Sequence, residues 1–184
     1  MKIPILVALI LTYIPTQAFE LDENWKNGAS ISTITVCQKY YSFIQDAYYL
    51  SPQLPASFIA GIVVVEAHGV STKVGKRGEI GLGQIIPEEA EADLRRLYPD
   101  QHFYGDLKDP VYNLYVLMWY LKALRSHYGF PTMAQALAAY NMGPTKAKAQ
   151  EISYADAHHS EYVKKVSFAA GQYPSKETCV PNKT

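Results

Sequence analysis

This sequence predicts a mainly α-helical single domain, and three observations carry that prediction. The 184 residues suffice for one compact core and are few for two. Apolar residues recur at helical spacing along most of the chain. Helix punctuation brackets those runs: Asp109-Pro110 before the longest and Gly129 after it. No internal repeat and no low-complexity linker breaks the pattern.

The first segment stands apart from the fold. Met1-Lys2 gives a positive start, Ile3 to Ile14 is almost wholly apolar, and Thr16-Gln17-Ala18 offers small residues for cleavage. The run is shorter than the roughly 20 residues of a spanning helix. Residues 1–18 therefore read as an export signal, leaving 19–184 as the mature domain, with its core over about 50–170.

The first helix is expected over 32–49, with Ile34, Cys37, Tyr41, Ile44 and Tyr48 at helical spacing, and Ser51-Pro52 ends it. Residues 55–68 are ambiguous. Phe58 to Val65 has the composition of a buried strand, yet Pro55 suits a first helical turn and Gly69 a helix end. As a helix, it places Ile59, Ile62, Val63 and Glu66 on one face. Residues 70–83 form a loop rich in glycine. A short helix over 87–97 carries acidic residues in its first turn, where the helix dipole favours them.

Asp109-Pro110 is a cap followed by proline at the first helical position. Val111, Leu114, Leu117, Met118, Leu121 and Leu124 then make a core-facing stripe. A further helix over 132–141 turns Met133, Ala136, Leu137 and Tyr140 inward. Asn141-Met142-Gly143-Pro144 reads as a stop and turn. The last helix is expected over 158–171, with Val163, Val166 and Ala170 inward.

Lys plus Arg and Asp plus Glu each total 17, so the net charge is zero. That argues against a nucleic-acid partner and gives no polybasic membrane patch. Two cysteines and scattered histidines supply no metal-ligand cluster, and no cofactor is expected.

Three separated segments carry the chemistry: Glu66-Ala67-His68, then Gly78-Glu79-Ile80-Gly81-Leu82-Gly83-Gln84-Ile85-Ile86-Pro87, then Ala138-Ala139-Tyr140-Asn141-Met142-Gly143-Pro144. With Asp109-Pro110 followed by Asn113, and Tyr162-Val163-Lys164-Lys165-Val166, they resemble, in order, the soluble lytic transglycosylase family. The resemblance covers about residues 50–170. It implies a lysozyme-like domain with a substrate cleft, acting on peptidoglycan glycan strands. It also implies that Glu66 is the catalytic acid/base and that Gln84, Tyr140, Asn141 and Tyr162 contact substrate. Family members commonly have Ser after the glutamate and Met before the glutamine. Here Ala67 removes a hydroxyl, Gly83 removes an apolar contact and leaves room for a wider subsite, and His68 is unusual.

Elementary chemistry agrees with this resemblance. Glycosidic cleavage needs a proton on the leaving oxygen, and apolar neighbours such as Ile62 and Val63 raise a carboxyl pKa. Gln84 follows Gly81 and Gly83, which permit close approach of backbone to a ligand. The inward Tyr140 hydroxyl either satisfies a core position or positions Glu66 or the acetamido group, and a bond to Glu66 would do both. The expected reaction is non-hydrolytic: the muramoyl acetamido group stabilises the cation, and the sugar's own C6 hydroxyl closes a 1,6-anhydro ring. The alternative is a hydrolytic muramidase, for which Glu79 is the candidate second carboxylate. A non-catalytic peptidoglycan-binding assembly factor is the alternative of another class. Small family members often serve secretion, conjugation or pilus machines, and a monomer acting in the periplasm is expected.

Export also permits a disulfide, and Cys37 and Cys179 are the two candidates. The exported protein is expected to begin near Phe19 with both thiols bridged. Intact mass and thiol labelling before reduction check this, and free thiols at both positions would contradict the bridge.

Overall fold

The computed structural model describes residues 31–50 and 56–171, with side chains omitted over 46–50. Residues 1–18, the Ser51-Pro52 boundary and Cys179 lie outside the described residues, as does the side chain of Tyr48. Among the described residues the elements are helical: α1 (Ile31–Leu50), α2 (Ala56–Ala67), a π-helical turn (Pro87–Glu91), α3 (Ala92–Leu97), α4 (Pro110–Ser126), α5 (Met133–Met142), α6 (Pro144–Ala149), α7 (Tyr154–His159) and α8 (Glu161–Gly171).

The ambiguous segment is helix α2, and its setting explains the ambiguity. Ile59, Ala60, Gly61, Ile62, Val63, Val64 and Ala67 are all buried. A helix with no exposed residue needs little polar face, so its sequence loses helical periodicity. Its tightest neighbour is α8. A Cβ added at Gly61 would lie 2.6 Å from the Val166 carbonyl oxygen, 3.1 Å from Ala170 N and 3.2 Å from Ala170 Cβ. Only glycine lets the two backbones come so close.

Helix α1 covers another side of α2 with Thr33, Val36, Cys37, Tyr40, Tyr41 and Ile44, all buried. Ile34, expected to face inward, is only half-buried. The Tyr40 hydroxyl donates to Gly69 O at 3.0 Å and fixes the chain just past the end of α2.

In α4, Asp109 caps as expected, accepting from Tyr112 N at 2.8 Å. Leu114, Leu117, Met118, Leu121 and Leu124 are buried, but Val111 is 49% exposed. It lies in the first turn beside exposed Lys108 and Asp109, where the helix has not yet entered the core. The expected helix over 87–97 begins as a π-turn, in which Ala92 N–H reaches back to Pro87 O. Thr132 and Gln135 form a capping box that starts α5.

The C-terminal third departs most from the sequence reading. Gly143, with φ 87°, stops α5, and Pro144 at once begins α6. The same proline that reads as a breaker is also a favourable first helical residue. Ser153 and Asp156 make a second capping box for α7. Ser160, in extended backbone, separates α7 from α8. The single helix expected over 158–171 is therefore two, and its inward residues Val163, Val166 and Ala170 lie on α8. Among the described residues no helix is long and apolar enough to cross a membrane.

Gly61→Ala tests the α2–α8 contact. Helix propensity alone gains about 1 kcal/mol, but the new methyl meets backbone, and overpacking costs about 1–3 kcal/mol. A lower melting temperature is expected by thermal denaturation. A rise would mean that the helices separate freely.

Candidate active site

A cleft of about 950 Å³ opens beside the C-terminal end of α2. One wall is the 73–90 segment, and the other runs from Tyr140 through Lys146 to Ala149. Glu66 lies in the last turn of α2, half-buried and lining this cleft. Burial raises its carboxyl pKa above the usual 4.5 and is the largest influence. A hydrogen bond from Tyr162 and the charge of Lys73 oppose the rise, while the charge of Glu79 adds to it. Neutral Glu66 is thus favoured beyond the ordinary carboxylate range.

Tyr162, from the first turn of α8, donates to Glu66 Oε1 at 2.7 Å. The α2–α8 contact at Gly61 brings these distant residues together. Burial, the largest influence, and the Glu66 charge both push the Tyr162 hydroxyl well above its usual value. Tyr162 therefore remains a donor at all ordinary pH.

Tyr140 stands near Glu66 but does not bond it. Its hydroxyl donates to Gly83 O at 2.5 Å, so the bond to Glu66 that would have served both readings is not made. Burial first, then the Glu66 charge, keep its proton in place. Asn141 is exposed on the cleft rim and does not cap α5, because the helix continues through Met142.

Gln84 lines the cleft with left-handed backbone, φ 51°, uncommon for a residue with a side chain. Both protons of its amide are used internally: Nε2 donates to Gly81 O at 3.0 Å and to Lys73 O at 3.3 Å. The carboxamide oxygen is left as the group offered to a ligand.

Gly81 and Gly83 do not make room for a ligand, as the sequence suggested. A Cβ at Gly81 would lie 2.2 Å from Asn113 Nδ2 and 2.3 Å from Leu107 O. One at Gly83 would lie 3.2 Å from Tyr140 Oη and 3.3 Å from Asn113 Oδ1. The close approach at both positions is to the protein's own groups. Fully buried Asn113 organises the loop. It accepts from Gly83 N at 2.7 Å and donates to Leu107 O at 2.8 Å and Ile80 O at 2.9 Å. All its hydrogen-bonding groups are engaged, as a buried amide requires.

His68 is exposed, with Nδ1 3.2 Å from Ser32 Oγ, and buried Ala67 packs in the core. Glu79 lines the same cleft as Glu66. Its pKa lies below the usual value, first through its own backbone amide and also through Arg77 N–H, which donates to Oε2 at 2.8 Å. The two carboxyls are driven in opposite directions, one toward the neutral and one toward the ionised form. Lys73 is a group that the sequence did not flag. Its ammonium donates to the Glu66 backbone oxygen, and nothing in a loop lysine's sequence context signals that. The importance of Asn113 was more accessible, since a polar residue on an apolar helical stripe demands partners. Among the described residues no cluster of His, Cys, Asp and Glu could hold a metal ion.

The sequence profile of the transglycosylase SLT domain family matches residues 44–163. No curated protein sequence matches the chain. Among solved structures, it resembles the 70 kDa soluble lytic transglycosylase SLT70 from Escherichia coli, with TM-score 0.58 and 20% identity over 78% of this chain and 26% of that one. It also resembles an inactive mutant of the lytic transglycosylase Slt from Pseudomonas aeruginosa, with TM-score 0.61 and 20% identity over 78% of this chain and 25% of that one. These likenesses show a shared fold. The chain spans about a quarter of the length of either protein.

Tyr162→Phe removes a bond that lowers the Glu66 pKa. The carboxyl should therefore titrate at higher pH than in the wild type, as read by carbon NMR of the labelled side chain. An unchanged or lower value would contradict the placement of that hydroxyl.

Proposed function

Because the chain belongs to the transglycosylase SLT domain family and has the lysozyme-like fold of its solved relatives, we propose that it is a peptidoglycan lytic transglycosylase. It cleaves the β-1,4 bond from N-acetylmuramic acid to N-acetylglucosamine without water. The observation that carries this reading is Glu66: a half-buried carboxyl of raised pKa, lining an open cleft and bonded by Tyr162.

The proposed steps need one acid/base. Glu66 protonates the leaving oxygen as the C1–O bond breaks. The muramoyl acetamido oxygen closes on C1 and holds the positive charge. The C6 hydroxyl then attacks C1, displaces the acetamido oxygen and gives its proton to Glu66. Intramolecular attack benefits from proximity. Gln84, Asn141 and the cleft tyrosines hold the glycan, and Tyr162 keeps the Glu66 carboxyl oriented.

Peptidoglycan as substrate places the activity outside the cytoplasm. The apolar segment over 1–18 supports export to the periplasm. A Cys37–Cys179 bridge would tie α1 to the C-terminal segment and is supported by the deep burial of Cys37. In the chain-entropy model so long a loop stabilises by about 4–5 kcal/mol. The protein acts as a monomer, and its small size suits local opening of the wall for a secretion, conjugation or pilus machine, by analogy with other small family members.

Glu66→Gln tests the proposal. Gln has similar helix propensity, so the fold should persist. The raised pKa makes ionised Glu66 a cost to the folded state that is absent below the ordinary 4.5 and present above the folded value. The variant should thus gain stability relative to wild type as pH rises toward neutrality. Binding to purified sacculi should remain, while lysis in a zymogram falls to near background. Full lysis would remove Glu66 from its role.

A further inference from the structure

Gly75 borders the cleft, and its missing side chain is filled from two directions. A Cβ added there would lie 2.2 Å from Glu79 Oε2 and 3.0 Å from Gln84 Oε1. The carboxylate and the carboxamide oxygen therefore converge on one point of the cleft wall. Gln84 cannot present its nitrogen instead, because that end donates to two backbone carbonyls. Flipping the amide would set its oxygen against both. Glu79 is fixed as well, by Arg77 N–H at 2.8 Å on Oε2 and by the Gly75 N–H to Glu79 O bond at 2.7 Å. Two acceptors side by side, one of them anionic, select a hydrogen-bond donor. The donors on a peptidoglycan sugar are hydroxyls and the acetamido N–H, and only the latter belongs to the group that closes on C1 first and carries the positive charge.

We propose that Glu79, seated against Gly75 beside the Gln84 carboxamide oxygen, is a second catalytic residue that accepts the muramoyl acetamido N–H. The assignment rests on the transglycosylase reading given above. As the C1–O bond breaks, its electron pair goes to the leaving oxygen, which takes the Glu66 proton. The acetamido oxygen forms a bond to C1, and positive charge spreads onto the nitrogen. The N–H becomes more acidic, and its hydrogen bond to the Glu79 carboxylate strengthens as the charge develops. No proton need leave the nitrogen. When the C6 oxygen bonds C1, the C1–acetamido bond breaks, and the C6 hydroxyl proton passes to Glu66. The acetamido group is restored and no water is consumed. Glu79 is thereby a charge that acts through the substrate rather than a base for water.

Glu79→Gln isolates the charge, because its amide oxygen still accepts from Arg77 N–H. Melting temperature should stay at the wild-type value, while kcat on purified sacculi falls on the order of 10- to 100-fold, in the range of one preorganised electrostatic partner. The loss should appear in kcat more than in KM, since the bond is strongest in the transition state. Glu66 is faced by Tyr162, Tyr140, Lys73 and Glu79, and of these Glu79 raises its pKa by charge. The alkaline limb of the rate profile should therefore move to lower pH in the variant. Gly75→Ala, whose methyl displaces the carboxylate, should reproduce the loss. On chemically de-N-acetylated sacculi the gap between wild type and Glu79→Gln should close. A variant with wild-type kcat would overturn the proposal, as would a gap that persists on de-N-acetylated strands. If wild type itself released reducing ends rather than anhydro ends, the transglycosylase reading would fail instead, whatever Glu79 does.

Discussion

The active cleft depends on the approach of two helix backbones at Gly61. With no side chain there, α8 lies against α2 so closely that a methyl would meet Val166 O. Two consequences follow. Helix α2 is enclosed, so the carboxyl at its end is partly desolvated and holds its proton more tightly. Helix α8 is brought near enough for Tyr162, 96 residues away in sequence, to bond that carboxyl. The two effects oppose each other on the Glu66 pKa, and burial wins. A protonated but oriented carboxyl is what a glycosidic acid requires.

The second constraint is the clamp on the loop opposite. Asn113 is a polar side chain on the apolar stripe of α4, and it satisfies itself on the backbone at Ile80, Gly83 and Leu107. Tyr140 holds the far side of Gly83 through its hydroxyl. Between them they fix the strained turn at Gln84, where left-handed backbone turns the carboxamide toward the cleft. Gly81 and Gly83 are small because Asn113, Leu107 and Tyr140 occupy the adjacent space. The buried Asn113 and the half-buried Tyr140 thus set the position of groups in the cleft.

Much of this is legible in the sequence alone. The helix after Asp109-Pro110 announced itself through a cap, a proline and a sustained apolar stripe, each a local signal. The ordered motifs singled out Glu66, Gln84, Tyr140, Asn141 and Tyr162, and these residues line the cleft or bond one another there. What escaped has physical causes. Helix α2 lacks clear periodicity because none of its residues is exposed and its middle is wholly buried. Helices α6 and α7 are one or two turns long, too short for a repeating pattern, and only Pro144 and the Ser153–Asp156 capping box mark them. Which of the two tyrosines bonds Glu66 depends on packing geometry between helices that no spacing encodes. Lys73 and the pocket at Gly75 rest on loop conformation, which the sequence leaves open.

In the proposed reaction one carboxyl serves as acid and then base while the sugar supplies its own nucleophile. Mass spectrometry of the sugars released from purified sacculi by the wild-type protein tests it most directly. Muramic acid ends closed as 1,6-anhydro rings, lighter by one water than hydrolytic ends, are expected. Reducing-end muramic acid as the product would contradict that mechanism and would assign the reaction to water.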